Sequence, residues 1–181
     1  MTARPDPNVI SFLERLAFPY EVLPCDPALA DTAAFCAAYD IPLEQSANAI
    51  LVSSRRPLGE RAVCLALANT RLDVNGLVRQ RLGVKKVSFA SAQETVEVTG
   101  MEIGGVTPFG LPDGLRIWVD EAITKPAWVV VGAGSRSAKI RVDPAVFALI
   151  PNADIVDGLA GSPQEQGVSD EADQGEAEPL D

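Results

Sequence analysis

The apolar residues of the chain recur with helical spacing in some stretches and form short continuous runs in others. Residues 8–17 carry four apolar side chains on one helical face, which predicts an amphipathic helix. They are Val9, Phe12, Leu13 and Leu16. Two apolar runs, residues 47–53 and 62–68, lie on either side of a turn that contains Pro57 and Gly59. We therefore predict an antiparallel pair of buried strands.

Capping residues and shorter apolar runs locate the other elements. Asp31 or Thr32 can cap a second helix, and residues 91–94 fit a capping box that opens another. The helices predicted after the first cover residues 32–39, 72–82, 92–98 and 144–150. The further strands cover residues 20–23, 86–89, 116–120, 127–131, 139–142 and 153–156. Strands and helices do not alternate regularly, so we expect an α/β domain of the α+β type, with a mixed, mostly antiparallel sheet surrounded by helices.

Charge is distributed unevenly along the 181 residues. The net charge is −10, but seven acidic residues and no basic residue follow residue 162, which leaves −3 for the rest. We expect one domain over residues 1–158 and an acidic, disordered tail over residues 159–181. The bulk charge does not favour nucleic acid, although a local basic patch is compatible with it. The candidate patch is Arg79, Arg81, Lys85 and Lys86, and the alternative is a solvated helix end.

The composition limits the cellular locations and the catalytic groups that we expect for this protein. No apolar stretch approaches the roughly 20 residues of a membrane span, and the N-terminus lacks the apolar core of an export signal. We expect a cytoplasmic protein with no membrane partner and with three reduced cysteines. The chain contains no histidine, which excludes Ser-His-Asp and Cys-His nucleophiles and histidine metal sites. We expect no metal and no cofactor, and catalysis would use other side chains, backbone amides or the substrate itself.

Residues 100–112 concentrate four glycines and two prolines. Glycine permits unusual backbone angles and proline fixes φ, so this segment is predicted to be a rigid loop. A rigid loop on a scaffold is a common location for binding and catalysis. An ordinary Gly/Pro-rich connection is the alternative.

Residues 132–137 (G-A-G-S-R-S) follow an apolar strand and are superficially similar to a nucleotide-binding loop. The dinucleotide motif requires glycine where Ser137 stands and a helix after it, whereas residues 138–142 have the pattern of a strand. We therefore predict a hairpin turn. The hypothesis of a nucleotide-dependent enzyme would rest on this turn alone.

The order of several short motifs resembles the YbaK/prolyl-tRNA editing-domain family, within the aminoacyl-tRNA deacylase superfamily. The resemblance extends over about residues 9–155. The motifs are T-R-L-D at residues 70–73, K-K-V at 85–87, G-G-V-T-P-F-G at 104–110, V-D-E at 119–121 and G-A-G at 132–134. The resemblance implies a compact mixed α/β domain that hydrolyses the ester of a mischarged tRNA. The chain is too short to hold a synthetase as well, so we expect it to act alone, in trans.

The resemblance also implies which residues form the site. The loop would line the pocket beside the aminoacyl ester, and its backbone groups would position the water and the substrate carbonyl. The loop residues given a catalytic role are Gly104, Gly105, Thr107 and Pro108. The substrate-binding residues are Val106, Phe109, Gly110, Asp120, Gly134, Arg136 and Lys139. The implied partner is the acceptor end of an aminoacyl-tRNA, and a synthetase is a second candidate partner.

Four of these residues have structural alternatives. Thr107 can offer its hydroxyl to the substrate or cap the loop. Asp120 closes an apolar strand and can orient the ligand or cap the next turn. Arg136 and Lys139 can meet tRNA phosphates or be solvated on the surface.

The chain departs from the family pattern at Asn48. Family members commonly carry a lysine near the start of this strand, where it offers a charge to a phosphate or a developing oxyanion, whereas asparagine offers a neutral amide. Asn48 can orient the ester by hydrogen bonds, or another cation can substitute for the lysine. The candidates are Lys125, Arg136 and Lys139. Otherwise the protein has lost activity and binds aminoacyl-tRNA, or a related small ligand, without hydrolysis.

Overall fold

A computed structural model describes residues 2–162 of the protein, and in this part of the chain helices flank three β-sheets. The strands are β1 (Tyr20–Pro24), β2 (Ala47–Arg56), β3 (Leu58–Leu67), β4 (Arg71–Leu72), β5 (Lys86–Phe89), β6 (Arg116–Asp120), β7 (Val129–Gly132), β8 (Ala138–Val142), β9 (Ala153–Val156) and β10 (Ala160–Gly161). The α-helices are α1 (Pro7–Leu16), α2 (Thr32–Tyr39), α3 (Arg79–Leu82) and α4 (Ala92–Thr99). A π-helical turn, Val74–Val78, precedes α3, and 3-10 turns cover Pro27–Leu29, Leu43–Gln45, Glu121–Thr124 and Pro144–Leu149.

The predicted hairpin of β2 and β3 forms the centre of the largest sheet, in which the strand order is β5-β2-β3-β6-β9. β2 is antiparallel to β3 and β5, whereas β6 is parallel to β3 and β9 is parallel to β6. Side chains alternate across a strand, so Leu51 packs in one apolar core and Val52 in another on the opposite face. This alternation explains why the apolar run of β2 is almost continuous.

A second sheet has the order β1-β8-β7 and is antiparallel throughout. A parallel bridge between Ser46 and Val130 connects its edge to the start of β2. The predicted mixed α/β domain with a mostly antiparallel sheet is therefore confirmed. The turn after β7 is the predicted hairpin turn, because β7 and β8 pair directly.

Helix α1 forms as its sequence pattern predicts. Asp6 caps it by accepting a hydrogen bond of 2.7 Å from the Asn8 N–H, and Pro7 takes the first helical position. Val9 and Leu13 are fully buried in the larger core. Burial of this apolar face stabilises a helix that would be too short to persist alone.

Two predicted boundaries need correction. Leu72 is not helical, because β4 pairs with β10 through Leu72 and Ala160, and the helical segment begins only at Val74. Residues 159–162 belong to the described fold, although the sequence predicts them to be part of the tail, because Leu159 is fully buried. The remainder of the predicted tail, residues 163–181, lies outside the described residues. None of the helices within residues 2–162 is long and apolar enough to cross a membrane.

Candidate functional site

A cavity of about 240 Å³ lies beside the first half of β2. β5 pairs with β2 only from Val52 onward, so the edge of residues 47–50 has no β5 neighbour and borders the cavity. The other walls come from α2, from β7 and from the loop of residues 100–112. The glycine-rich loop therefore borders a pocket, as expected for a rigid loop on a scaffold.

Lys139 on β8 contributes a buried ammonium group to this pocket. The residue is only 6% exposed, and its Nζ donates hydrogen bonds of 2.8 Å to the carbonyl oxygens of Ala30 and Gly104. Nζ also lies 5.4 Å from the centroid of the Phe35 ring. Burial lowers the pKa of Lys139 below its usual range. An ammonium group has three N–H donors, so one remains for a ligand after the two carbonyl bonds.

Asn48 lines the same pocket from β2. The hydroxyl of Thr32, the first residue of α2, donates a hydrogen bond to Asn48 Oδ1. Because the amide oxygen accepts this bond, the two hydrogens of Nδ2 remain as donors. The pocket therefore offers N–H donors from two side chains, one charged and one neutral.

The loop that carries Gly104 is fixed by backbone contacts. Gly105 donates to Glu102 O at 2.9 Å and accepts from the Gly134 N–H at 2.7 Å. A Cβ on Gly105 would lie 2.5 Å from Ser135 O, and a Cβ on Gly132 would lie 2.3 Å from Gly105 O. Both positions therefore require glycine, because backbone atoms cannot move aside without disrupting the turn.

Arg136 supports the loop from outside the pocket. Its guanidinium donates to Pro27 O at 3.0 and 2.8 Å and to Ile103 O at 2.9 Å. Its backbone N–H donates to the Glu102 carboxylate at 2.7 Å. These bonds connect the turn after β7 to the loop and to the segment before α2, so Arg136 positions the wall of the pocket.

The structure brings together only some of the predicted site residues. Asn48, Gly104, Val106 and Lys139 line the pocket. Gly105, Gly134 and Arg136 hold its wall through the contacts described above. The residues that lie outside the pocket lining are Thr107, Pro108, Phe109, Gly110, Asp120 and Lys125.

Packing and capping account for the residues outside the pocket. Phe109 stacks on Phe147 in the larger core, with ring centroids 6.0 Å apart. Thr107 is fully buried, and its hydroxyl has no hydrogen-bond partner among residues 2–162. Asp120 accepts from the N–H groups of Ala122 and Ala160 at 2.9 and 2.8 Å, which fits the capping alternative. Lys125 is exposed and pairs with Glu121.

Sequence reasoning missed Thr32, Phe35 and Ile103 as pocket residues. Thr32 carried a helix-capping signal, yet its hydroxyl faces Asn48, and the Asp31 side chain makes no capping bond either. At Phe35 and Ile103 the sequence indicates only apolar side chains that pack in a core. No local signal distinguishes such residues, because the lining of the pocket comes from several distant segments of the chain.

In the part of the chain that the structure describes, no carboxylate lines the pocket, and the whole sequence has no histidine. Within residues 2–162 no group of three or more Cys, Asp or Glu side chains could hold a metal ion. The arrangement can hydrogen-bond and charge-stabilise an oxygen atom that becomes negative during a reaction. It does not supply a general base of the usual kind.

Comparisons with known proteins bear on the family and the fold of the chain. The model of the aminoacyl-tRNA editing domain family matches residues 26–149, which include every pocket residue named above. The uncharacterized protein YwhH of Bacillus subtilis (strain 168) is 33% identical over 110 residues, which are 56% of this chain and 69% of YwhH.

Two solved structures share the fold at low sequence identity. The hypothetical protein APE2540 superimposes with a TM-score of 0.75 at 22% identity, over 85% of this chain and 99% of that chain. A protein proposed to be a trans-editing enzyme for prolyl tRNA synthetase has a TM-score of 0.71 at 22% identity, over 84% of this chain and 96% of that chain.

Proposed function

Because the chain belongs to the aminoacyl-tRNA editing domain family, we propose that it hydrolyses, in trans, the ester of a mischarged tRNA that carries a small amino acid. The family supports tRNA editing as the general activity. The convergence of Lys139 and Asn48 on one small pocket beside Gly104 carries the finer proposal.

In the proposed reaction the two donors act on the ester carbonyl. Water attacks the carbonyl carbon, and the carbonyl oxygen becomes an oxyanion in the tetrahedral intermediate. The Lys139 ammonium and the Asn48 amide donate hydrogen bonds to this oxygen, which develops charge only after attack. The intermediate then expels the ribose oxygen, which takes up a proton, and the products are the free amino acid and the uncharged tRNA.

The proton of the attacking water needs an acceptor that the pocket lining does not supply. None of the carboxylates in the described residues lines the cavity, and the sequence has no histidine. The neighbouring hydroxyl of the terminal ribose is the group that an aminoacyl-tRNA brings with it to this position. We propose that substrate and solvent relay this proton, and that the protein contributes orientation and charge stabilisation.

The size and walls of the pocket support a small amino acid. Phe35, Ile103 and Val130 line the cavity and limit the space for the amino-acid side chain beside the ester. A pocket of fixed size excludes larger side chains by steric overlap, which is the sieve principle of editing.

The experiment that tests this function is a deacylation assay with a panel of charged tRNAs. Purified protein is incubated with tRNA-Pro charged with Ala, Cys, Ser or Pro and with tRNA-Ala charged with Ser or Gly. Hydrolysis of one small mischarged species, with the correctly charged tRNA left intact, supports an editing enzyme. Failure to hydrolyse any pair contradicts it.

A second candidate is a module that binds aminoacyl-tRNA without hydrolysis. Asn48 is the observation that favours it, because the family lysine is absent at this strand position. Retained tRNA binding without hydrolysis of any pair in the panel would favour this candidate over the enzyme.

A further inference from the structure

We infer that the surface beside the pocket binds the single-stranded 3′ end of the tRNA acceptor arm, an inference that rests on the proposed function. This surface, called the β5 surface below, consists of Arg55, Arg56, Lys85, Lys86 and Phe89. It lies on edge strand β5 and on the end of the β2–β3 hairpin.

Charge is the first observation behind the inference. Residues 55–86 hold eight of the fifteen Lys and Arg residues of the chain but only two acidic residues, Glu60 and Asp73. The chain as a whole has a net charge of −10, so this segment is strongly positive against an acidic background. Such an asymmetry attracts a polyanion to one place on the molecule.

The nearby carboxylates do not neutralise this surface. Glu94 lies near two guanidiniums, 3.6 Å from Arg55 and 3.1 Å from Arg61, and Glu60 pairs with Arg116. No ion pair engages Arg56, Lys85 or Lys86 within the described residues. Three exposed cations are therefore available for phosphate groups.

Geometry is the second observation. Ala90 lines the pocket, and Phe89 next to it is 53% exposed, although the other phenylalanines of residues 2–162 are buried or half-buried. Lys86 lies three residues away along β5, about 10 Å from Phe89 at the rise of a strand, and this odd spacing places the two side chains on opposite faces of the edge strand, so that an RNA strand would meet both by passing along the exposed edge. Pocket, aromatic ring and basic residues therefore follow one another along a single strand.

The side chain of Arg55 is held parallel to this strand. Its Nε donates to Ser88 Oγ at 2.7 Å, and its Nη2 donates to Phe89 O at 3.2 Å. Arg56 pairs with Lys86 across the two strands. Arg55, Arg56 and Lys86 are thus carried by sheet strands close to Phe89, and Lys85 directly precedes β5, where its N–H donates to Arg56 O at 3.0 Å.

The order of these groups matches the chemistry of a single-stranded RNA end. With the aminoacyl ester in the pocket, the terminal base comes next, and an exposed aromatic ring stacks on a base of any sequence. The preceding phosphates then reach the basic end of the strand. A closed duplex offers no unstacked terminal base, so a single-stranded overhang fits this surface better than a blunt helix.

The test measures RNA binding, which does not depend on hydrolysis. Fluorescence anisotropy follows the full chain with an uncharged RNA hairpin whose 3′ overhang ends in CCA, and with the same hairpin made blunt. The variants are Phe89→Ala and Lys86→Glu. Their matched controls are Leu149→Ala, another exposed apolar residue, and Lys125→Glu, another exposed lysine.

We expect the overhang to bind more tightly than the blunt end. Phe89→Ala should weaken overhang binding by about tenfold through lost stacking. Lys86→Glu should weaken it and reduce the slope of log K against log salt by about 0.7 or more, the value for one phosphate contact on a single strand. The control variants should bind as the unmodified protein does.

Two results would overturn the inference: equal binding of blunt and overhanging RNA, or no difference between the β5-surface variants and their controls. The outcome is separable from the proposed function. Selective overhang binding without deacylation would contradict the hydrolase and leave the β5 surface in place. Deacylation that is insensitive to both β5-surface variants would support the hydrolase and contradict the role of the β5 surface.

Discussion

The ammonium nitrogen of Lys139 lies 2.8 Å from the carbonyl oxygen of Gly104, so a cation from β8 is bonded to the loop that forms the opposite wall of the pocket. The family commonly places its lysine on the strand where this chain has Asn48. Here a buried lysine reaches the same pocket from a different strand. This relationship is the basis of the first two predictions.

Replacing Lys139 with methionine should lower kcat for deacylation by about 100-fold, the effect expected for loss of one oxyanion donor. The substitution keeps an unbranched side chain but removes the charge. Single-turnover hydrolysis of the preferred tRNA from the panel provides the measurement. Lys125→Met, on the surface, is the control, and circular dichroism establishes that both variants are folded. An unchanged rate in Lys139→Met would contradict the assignment.

The reaction should also lose rate at alkaline pH. Burial lowers the pKa of Lys139, and only the protonated form carries the charge that stabilises an oxyanion. As pH rises through this lowered pKa, the donor is lost. The decline in kcat/KM should therefore begin at a pH below about 10.4, the ordinary pKa of lysine. Rates are measured with the uncatalysed hydrolysis subtracted at each pH. A rate that keeps rising through this range would remove Lys139 from the mechanism.

Thr32 should matter through the orientation of Asn48. Thr32→Val retains the shape of the side chain but removes the hydroxyl that donates to Asn48 Oδ1. The amide can then rotate, and kcat should fall about tenfold with a smaller change in KM. Thr32→Ser restores the hydroxyl and should recover most of the rate. Equal activity in the valine and serine variants would show that the bond has no positioning role.

Asn48→Lys should not increase hydrolysis. If the pocket lacked a cation, restoring the family lysine would raise the rate. Lys139 already lines this pocket, so a second ammonium would meet like-charge repulsion and desolvation. We expect a rate at or below that of the unmodified protein. A clear gain would mean that Lys139 does not serve the reaction.

Glu94 should make the stability of the fold depend on pH. Its carboxylate accepts hydrogen bonds from Ser53 at 2.6 Å and from Arg61 at 3.1 Å, and these bonds lower its pKa. A lowered pKa means that the stabilisation is complete above the ordinary Glu value and is lost as pH falls through the folded-state value. Urea unfolding should find Glu94→Gln less stable by about 1–2 kcal/mol at pH 7. The difference in unfolding free energy between this variant and the unmodified protein should disappear at acid pH. A difference that is the same at every pH would contradict this account.

The sequence predicted the elements that depend on local pattern. The hairpin of β2 and β3, helix α1 and the turn between β7 and β8 all follow from apolar runs, caps and glycines within a few residues. The assignment of residue 72 to a helix failed because a partner strand at residues 160–161 determines its conformation. A distant partner of this kind leaves no trace in local periodicity.

The site was predictable only in part for the same reason. The sequence indicates site positions at the loop glycines and at Asn48, and Lys139 is one of three cations that it offers in place of the family lysine. Its burial, and the surface position of Lys125, depend on how α2, the loop and β8 pack together. Thr32 gives the signal of a helix cap, and only the approach of α2 to β2 reveals its hydrogen bond to Asn48.

The close approach of Gly105 and Gly132 constrains how this pocket can change. The two backbones lie too close for even a methyl group between them, and the Gly134 N–H bond to Gly105 O fixes their register. At this contact the wall of the pocket cannot shift without disrupting the packing of the two backbones or the bond from Gly134 to Gly105. Any shift in substrate preference during evolution must therefore come from exchange of the side chains that face the cavity, with Phe35 and Ile103 the first candidates, while the backbone that holds them stays the same.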